Sequence, residues 1–330
     1  MIHNFKPRAA IRSIEIKNFR SIDSLSLSFV GPDDEVSQTI VIGGPNGSGK
    51  TSVLEACLIA AQHQELVAAS SEVRAKHLYE QDFSLQAELQ VANTRIKVRR
   101  IGSKSSYEVT SGEARPLEPS LAPCAYFSSW RAPKLIGSIS VTAGKKGKRP
   151  SSQNEVNRLW LIKQFLVNAK AHESMSPSVR LPGFKSPYDE LISRLNMTWS
   201  LFHPHQEFHF AVEPVSTDVS EGFDVFLSTA DKRISVDQLS SGELELFGFA
   251  AWMIAERFEG GIICLDEPEL HLDPQWHPLL LEALRRLQPD SQFIVATHSP
   301  DVFDSVSSYE RHLLIPKDDP RRKYWNRSTG

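Results

Sequence analysis

No apolar run in these 330 residues reaches the roughly 18 residues that a membrane-spanning helix needs, and no signal-peptide core opens the chain. A soluble, cytoplasmic protein is expected. There are only three cysteines, Cys57, Cys124 and Cys264, without disulfide or metal spacing. Each sits in an apolar stretch, so they read as core thiols in a reducing compartment. There is no excess of positive charge: the net charge is −3. A basic nucleic-acid coat is therefore excluded, and any nucleic-acid contact must come from a local patch. Sustained heptads and internal repeats are also lacking, which excludes a long coiled coil and a solenoid. What remains, 40% hydrophobic and 23% charged residues, is ordinary globular composition.

Period-2 alternation predicts strands over Ile11–Ile16 and Ile22–Phe29, joined by Asn18-Phe19-Arg20-Ser21. Thr39–Ile42 is wholly apolar, as a parallel strand buried on both faces would be. Phe83–Val91 and Thr94–Val98 read as a hairpin, and Cys124–Phe127 as another short buried strand. From Arg131 to Pro187 the chain is rich in Ser, Pro, Gly and Lys. Helix-like stretches fall at Asn154–Ala171 and Pro187–Trp199, and strand-like ones at Phe208–Val212 and Phe223–Leu227. After Leu239 the order is helix, strand, helix, strand, helix. The expected fold is α/β, with a head (1–131 and 234–330), an antiparallel β layer and a mixed helical insertion at 132–233.

The chemistry concentrates in four short segments. Gly44-Pro45-Asn46-Gly47-Ser48-Gly49-Lys50-Thr51 satisfies G-x-x-x-x-G-K-[ST]. Its glycines let backbone N–H groups turn toward phosphate oxygens, and the helix that follows adds its positive end. Lys50 is expected at the β- and γ-phosphates of ATP, with Ser52 beside them, and the Thr51 hydroxyl on Mg²⁺. Gly261–Glu267 is an apolar strand ending in two carboxylates. Asp266 is the candidate second Mg²⁺ ligand, and Glu267 the candidate base for an attacking water. Phe293–His298 is a second apolar strand, ending in a histidine able to donate to the γ-phosphate. Ser240 and Glu243 have capping-box spacing at the start of an apolar helix. An uncovered helix N-terminus flanked by Ser240, Ser241 and Gly242 is also an anion site, and this chain's own phosphate loop has no need of a second one.

Together these segments resemble the motif set of ABC-type ATPases in family order: P-loop, signature (Leu239–Glu243), Walker B, D-loop (Leu272-Asp273) and switch histidine (His298). Ile14–Ser21 looks like the opening of the RecF/SMC-type branch. Asp266–Pro274 and Ala296–Pro300 look like the OLD/PtuA-like ATPases of bacterial defence. The resemblance covers residues 11–60 and 234–305. It implies ATP sandwiched between two heads in a homodimer or higher homo-oligomer. In that sandwich Ser240, Ser241 and Gly242 touch the partner's γ-phosphate and Asp273 lies at the seam. It further implies control of a separate effector, a nuclease first, with a RecF-like DNA-repair ATPase and a rarely hydrolysing scaffold as alternatives. Glu243 stands where many transporter ATPases carry Gln, which argues against a transporter. No Q-loop glutamine can be placed: Ser128-Ser129-Trp130-Arg131 follows the Cys124–Phe127 strand. The short stretch after His298 leaves no space for the TOPRIM domain of OLD-type nucleases, so no nuclease is expected in cis.

Weaker signals have plainer readings. His203, His205 and His209 lack the cysteine or spaced carboxylate of a metal site. Arg95, Lys97 and Arg99 alternate with apolar residues, first as a solvated strand face and second as a track for a nucleic-acid backbone. Lys145–Arg149 reads first as a mobile basic loop and second as a phosphate-binding one.

Overall fold

In the computed structural model the described residues are 5, 7–70, 82–112, 123–129, 138, 140, 158–175, 186–218, 221–256, 260–315 and 319–321. Arg131, Lys145–Arg149 and the first residues of the helix expected from Asn154 lie outside them.

Three sheets organise the chain. An antiparallel sheet has the order β2-β1-β4-β5-β6, formed by Ala9–Phe19 (β1), Ile22–Ser28 (β2), Ser84–Val91 (β4), Thr94–Ile101 (β5) and Lys104–Ser111 (β6). A five-stranded parallel sheet has the order β13-β3-β12-β11-β7. Its strands are Thr39–Gly43 (β3), Cys124–Phe127 (β7), Ile262–Asp266 (β11), Gln292–Thr297 (β12) and Arg311–Leu313 (β13). The third is a small antiparallel sheet, β10-β9-β8, of Phe208–Pro214 (β8), Phe223–Thr229 (β9) and Arg233–Ser235 (β10).

The apolar strands of the parallel sheet are buried on both faces, as their unbroken hydrophobicity predicts. Ile40, Ile42, Tyr126, Ile262, Cys264, Ile294 and Ala296 face the antiparallel sheet. Between the two sheets lies helix α1 (Lys50–Ala60), with Val53, Leu54, Cys57, Leu58 and Ile59 at most 1% exposed. Burying each large apolar side chain there contributes about 1.5–3 kcal/mol relative to leaving it in water. Burial also pushes the Cys57 and Cys264 thiols up from their ordinary pKa, as expected of core thiols. Gln292 ties the layers together. Its buried side-chain amide accepts from Ile11 N at 2.8 Å and donates to Ile11 O at 2.9 Å, imitating a strand where the β1–β4 register shifts.

The other face of the parallel sheet carries the second core. Val41, Phe127, Ile263, Leu265, Phe293 and Val295 point into it. Helices α3 (Arg158–Met175), α4 (Pro187–Phe202), α5 (Ser241–Glu256) and α6 (His277–Leu287) build it, together with the inner face of β8 and β9. A short helix, α2 (Gln64–Ser70), follows α1, and another, α7 (Pro300–Asp304), follows β12. Ser186 caps α4 through Asp189 N, with Pro187 at the first helical position.

The structure departs from the sequence expectation in detail. β1 runs on through Phe19, so only Arg20 and Ser21 remain as the turn. β6, β10 and β13 were not anticipated. β6 is almost wholly exposed and reads KSSYEVTS, in which Tyr107 and Val109 are the only large apolar residues.

Lys163 on α3 is fully buried, with its ammonium 2.7 Å from Asp224 Oδ1 and 2.8 Å from Asp237 Oδ1. Asp224 also accepts from Ser235 Oγ, which caps the 3-10 turn Val236–Gln238 leading into Leu239 and Ser240. Lys163→Ala takes the cation from the buried Asp224 and the half-buried Asp237. We expect it to lower unfolding free energy by about 3–5 kcal/mol, read as a drop in urea midpoint at unchanged slope. A shift below ~1 kcal/mol would show the triad to be solvated.

A nucleotide site at the strand ends

The candidate residues meet at the carboxyl edge of β3, β11 and β12, which adjacent parallel pairing brings into register: Asp266 pairs with Ala296, and Thr297 with Gly43. The loop after β3 turns through Gly44, Gly47 and Gly49, all at positive φ. Gly49, at φ 94°, is the N-cap of α1 and supplies no side-chain cap, so the first N–H groups of the helix have no side chain over them. A Cβ at Gly49 would come within 3.1 Å of Ile22, so any side chain there is both strained and crowded.

Lys50 reaches back over this loop. Its ammonium donates to Gly44 O at 2.9 Å and Pro45 O at 3.1 Å, and lies 3.0 Å from His298 Nε2. Burial lowers the Lys50 pKa, while Glu267, Asp266 and Glu269 nearby work in the opposite direction. Thr51 Oγ1 donates to Asp266, at 2.9 Å from Oδ2 and 3.2 Å from Oδ1. The two oxygens expected to flank a Mg²⁺ ion are thus already adjacent. Ser48 Oγ is buried and finds no hydrogen-bond partner among the described residues. An orphan hydroxyl, free helix N–H groups, a lysine and paired hard oxygens are the donor set that a Mg²⁺-nucleotide fits.

Glu267 begins the loop after β11 at φ 50°, a left-handed conformation costly for a residue with a side chain. Its N–H is fixed by Ala296 O, and its carboxylate Oε1 lies 2.7 Å from His298 Nε2. Both side chains stay partly exposed, at 26% and 32%, so solvent reaches the pair. Lys50, Thr51, Asp266, Glu267 and His298 therefore lie together in one cluster.

The signature segment lies elsewhere. Ser240 and Glu243 form the expected capping box: Glu243 Oε2 accepts from Ser240 N at 2.9 Å and from Ser240 Oγ at 2.7 Å. Ser240 and Ser241 are exposed, while Gly242 is buried. A Cβ on Gly242 would lie 2.6 Å from His271 O, so this glycine is needed by its own chain for close packing. Asp273 caps the following 3-10 turn through Gln275 N.

Two contributors were not foreseen. Arg20 forms an ion pair with the fully buried Glu55 of α1, fixing the β1–β2 turn beside the phosphate loop. Glu269 accepts three hydrogen bonds from the end of β12. The weaker signals resolve differently. His203 lies between Trp199 and Trp276, and burial lowers its pKa; His209 sits 3.2 Å from Asn196. On β5, Arg95 pairs with Asp34, while Lys97 has Glu88 and Glu108 as its cross-strand neighbours. Arg99 has the uncharged Gln86 and Ser106 beside it; the face thus carries charges of both signs. Among the described residues no helix is long and apolar enough to cross a membrane.

An AAA-domain family model matches residues 13–171, and the model "AAA domain, putative AbiEii toxin, Type IV TA system" matches residues 150–304. The chain is 24% identical to the Septu protein PtuA of Bacillus thuringiensis, over 94% of this chain and 76% of that protein. It is 30% identical to the Retron Vc95 probable ATPase of Vibrio cholerae, over 33% of this chain and only a quarter (25%) of that one. Among solved structures, an SMC head bound to the C-winged helix domain of ScpA superposes with a TM-score of 0.51, at 18% identity, covering 90% of this chain and 91% of that one. The chain has an α/β fold like that of SMC heads and is similar in sequence to AAA-domain models and to Septu and retron ATPases.

Proposed function

We propose that the chain binds MgATP on its phosphate loop, pairs through the nucleotide with a second copy, hydrolyses ATP in the closed pair, and thereby controls a separate effector in anti-phage defence. The observation that carries this reading is the cluster of Lys50, Thr51, Asp266, Glu267 and His298 at adjacent strand ends. Lys50 exchanges its loop carbonyls for β- and γ-phosphate oxygens, with Gly44–Gly49 and Ser52 lining the same cradle. Thr51 and Asp266 would hold Mg²⁺, which would neutralise phosphate charge. Glu267 accepts a proton from the attacking water, and His298, bonded to it, holds the water and the transferring phosphoryl group in line. Ser240, Ser241 and Asp273 present the face that meets the second copy's nucleotide. The defence context and the effector come from the likeness to PtuA and retron ATPases. The segment 132–233, a proposed insertion, is the natural place for an effector to read closure, because α3 and α4 pack on the signature helix α5.

Sedimentation with and without MgATP tests the reading. The native chain is expected to double in mass with ATP. Lys50→Ala should not, and should bind ATP at least about tenfold more weakly, equivalent to ~1.4 kcal/mol. Native-like binding by Lys50→Ala would remove the phosphate-loop assignment. Turnover stimulated by DNA alone, with no second protein, would favour the repair reading; tight binding without turnover would favour a scaffold.

A further inference from the structure

Glu269 is buried, with 8% of its surface exposed, in the turn between β11 and the Asp273 segment. Its Oε1 accepts from Thr297 Oγ1 at 2.6 Å, from His298 N at 2.9 Å and from Ser299 N at 3.2 Å. A single carboxylate oxygen thus gathers all three hydrogen bonds that this side chain makes among the described residues, and all come from the residues that carry and flank His298. The other oxygen, Oε2, is buried without a partner among the described residues. Packing alone gives no reason for this, since a buried carboxylate with one oxygen unpaired is costlier than an apolar side chain of the same shape. The turn is itself fixed, by Leu270 N to Glu267 O at 3.0 Å and Leu272 N to Glu269 O at 3.0 Å. Glu267 and Glu269 therefore move as one piece. One carboxylate meets the His298 ring from the side chain, while the other grips the His298 backbone.

We propose that Glu269 is a positioning residue for ATP hydrolysis: it clamps the end of β12 so that the His298 imidazole is held against Glu267. This rests on the proposed roles of Glu267 and His298. The clamp reaches further than the ring. Ser299, whose N–H Glu269 holds, places its hydroxyl 2.9 Å from His277 Nδ1, at the start of α6. Beside it, Trp276 packs on Phe202 and His203 at the end of α4. The geometry of His298 is thereby fixed to the face that carries Asp273. Lys50, which shares the His298 ring, also feels the Glu269 charge, which favours its ammonium form.

The test is steady-state ATP hydrolysis together with direct nucleotide binding on the full chain. For Glu269→Ala, kcat is expected to fall at least about thirtyfold, with KM and ATP affinity within about threefold of native, because the phosphate loop is untouched. Glu269→Gln keeps the accepting oxygen and should recover kcat to within about fivefold of native. In a His298→Ala background, Glu269→Ala should cost less than about twofold more, since two residues that act as one unit are not additive. If the alanine variant does not fold, Thr297→Val takes its place; it removes one donor at nearly constant shape. Its kcat should fall by about three- to tenfold at unchanged KM, and that effect too should vanish without His298. Native kcat in Glu269→Ala, or losses that add fully to those of His298→Ala, overturn the proposal while leaving the proposed function standing. Native turnover in His298→Ala overturns both.

Discussion

Glu267→Gln is expected to bind ATP as the native chain does and to lose about a hundredfold to ten-thousandfold of its turnover, the range supplied by a positioned general base. The amide keeps the size of the carboxylate and an oxygen that can face His298, but it cannot take the proton of a water. Lys50, Thr51 and Asp266 are unchanged, so the groups proposed to hold MgATP remain. Backbone geometry adds a second reason for a clean separation. Position 267 sits at φ 50°, which glutamine tolerates about as well as glutamate, so the variant carries no new strain. The closed, ATP-bound pair should accumulate, visible as a stable doubled mass with ATP where the native chain returns to its single mass as ATP is consumed. Turnover reduced less than about tenfold would place the base elsewhere.

The parts legible in sequence are those whose chemistry is local. The phosphate loop, the acidic end of β11 and the capping box at Ser240 each lie within a few residues. Each was found where the loop, strand end and helix start occur. Four strands of the parallel sheet, β3, β7, β11 and β12, were legible because they are largely apolar, as double-sided burial requires; the edge strand β13, Arg-His-Leu and half-buried, was not. β6 was hidden because it buries almost nothing, and its pairing with β5 is specified by the backbone more than by Tyr107 and Val109. Glu55 looks like one acid in an apolar helix until the β1–β2 turn brings Arg20 to it from 35 residues away in the sequence. Glu269 belonged to a segment already singled out. Its use depends on the register of β12 against β11, which no single segment encodes. At Gly242 the motif showed only half of the constraint: a side chain there would meet His271 O of the same chain.

That last point decides how the two-headed site must be tested. Gly242→Asp would strike His271 O and shift the loop between Glu267 and Asp273, so lost turnover there would not distinguish a partner contact from damage within one chain. Ser241→Asp avoids this, because Ser241 is exposed in the first turn of α5. Within one chain the new carboxylate meets the positive end of a helix, which stabilises by about 0.3–1 kcal/mol. Across a closed pair it faces the partner's γ-phosphate. Like charges about 4 Å apart at an effective dielectric of about 20 repel by roughly 4 kcal/mol, nearly a thousandfold in the closed population. The expected result is therefore a melting temperature equal to or above native, ATP binding retained on each head, and ATP-dependent doubling and turnover both lost. Mixing with Lys50→Ala sharpens the test. In a mixed pair one interface joins the intact phosphate loop of the Ser241→Asp chain to the intact signature of the Lys50→Ala chain; the other interface holds both lesions. Two chains that are each inactive alone should then recover a measurable part of the native rate together, provided one whole site suffices for turnover. Normal turnover by Ser241→Asp alone would reduce Leu239–Glu243 to a well-capped helix start, because a charge placed where a second nucleotide must sit could not then be ignored.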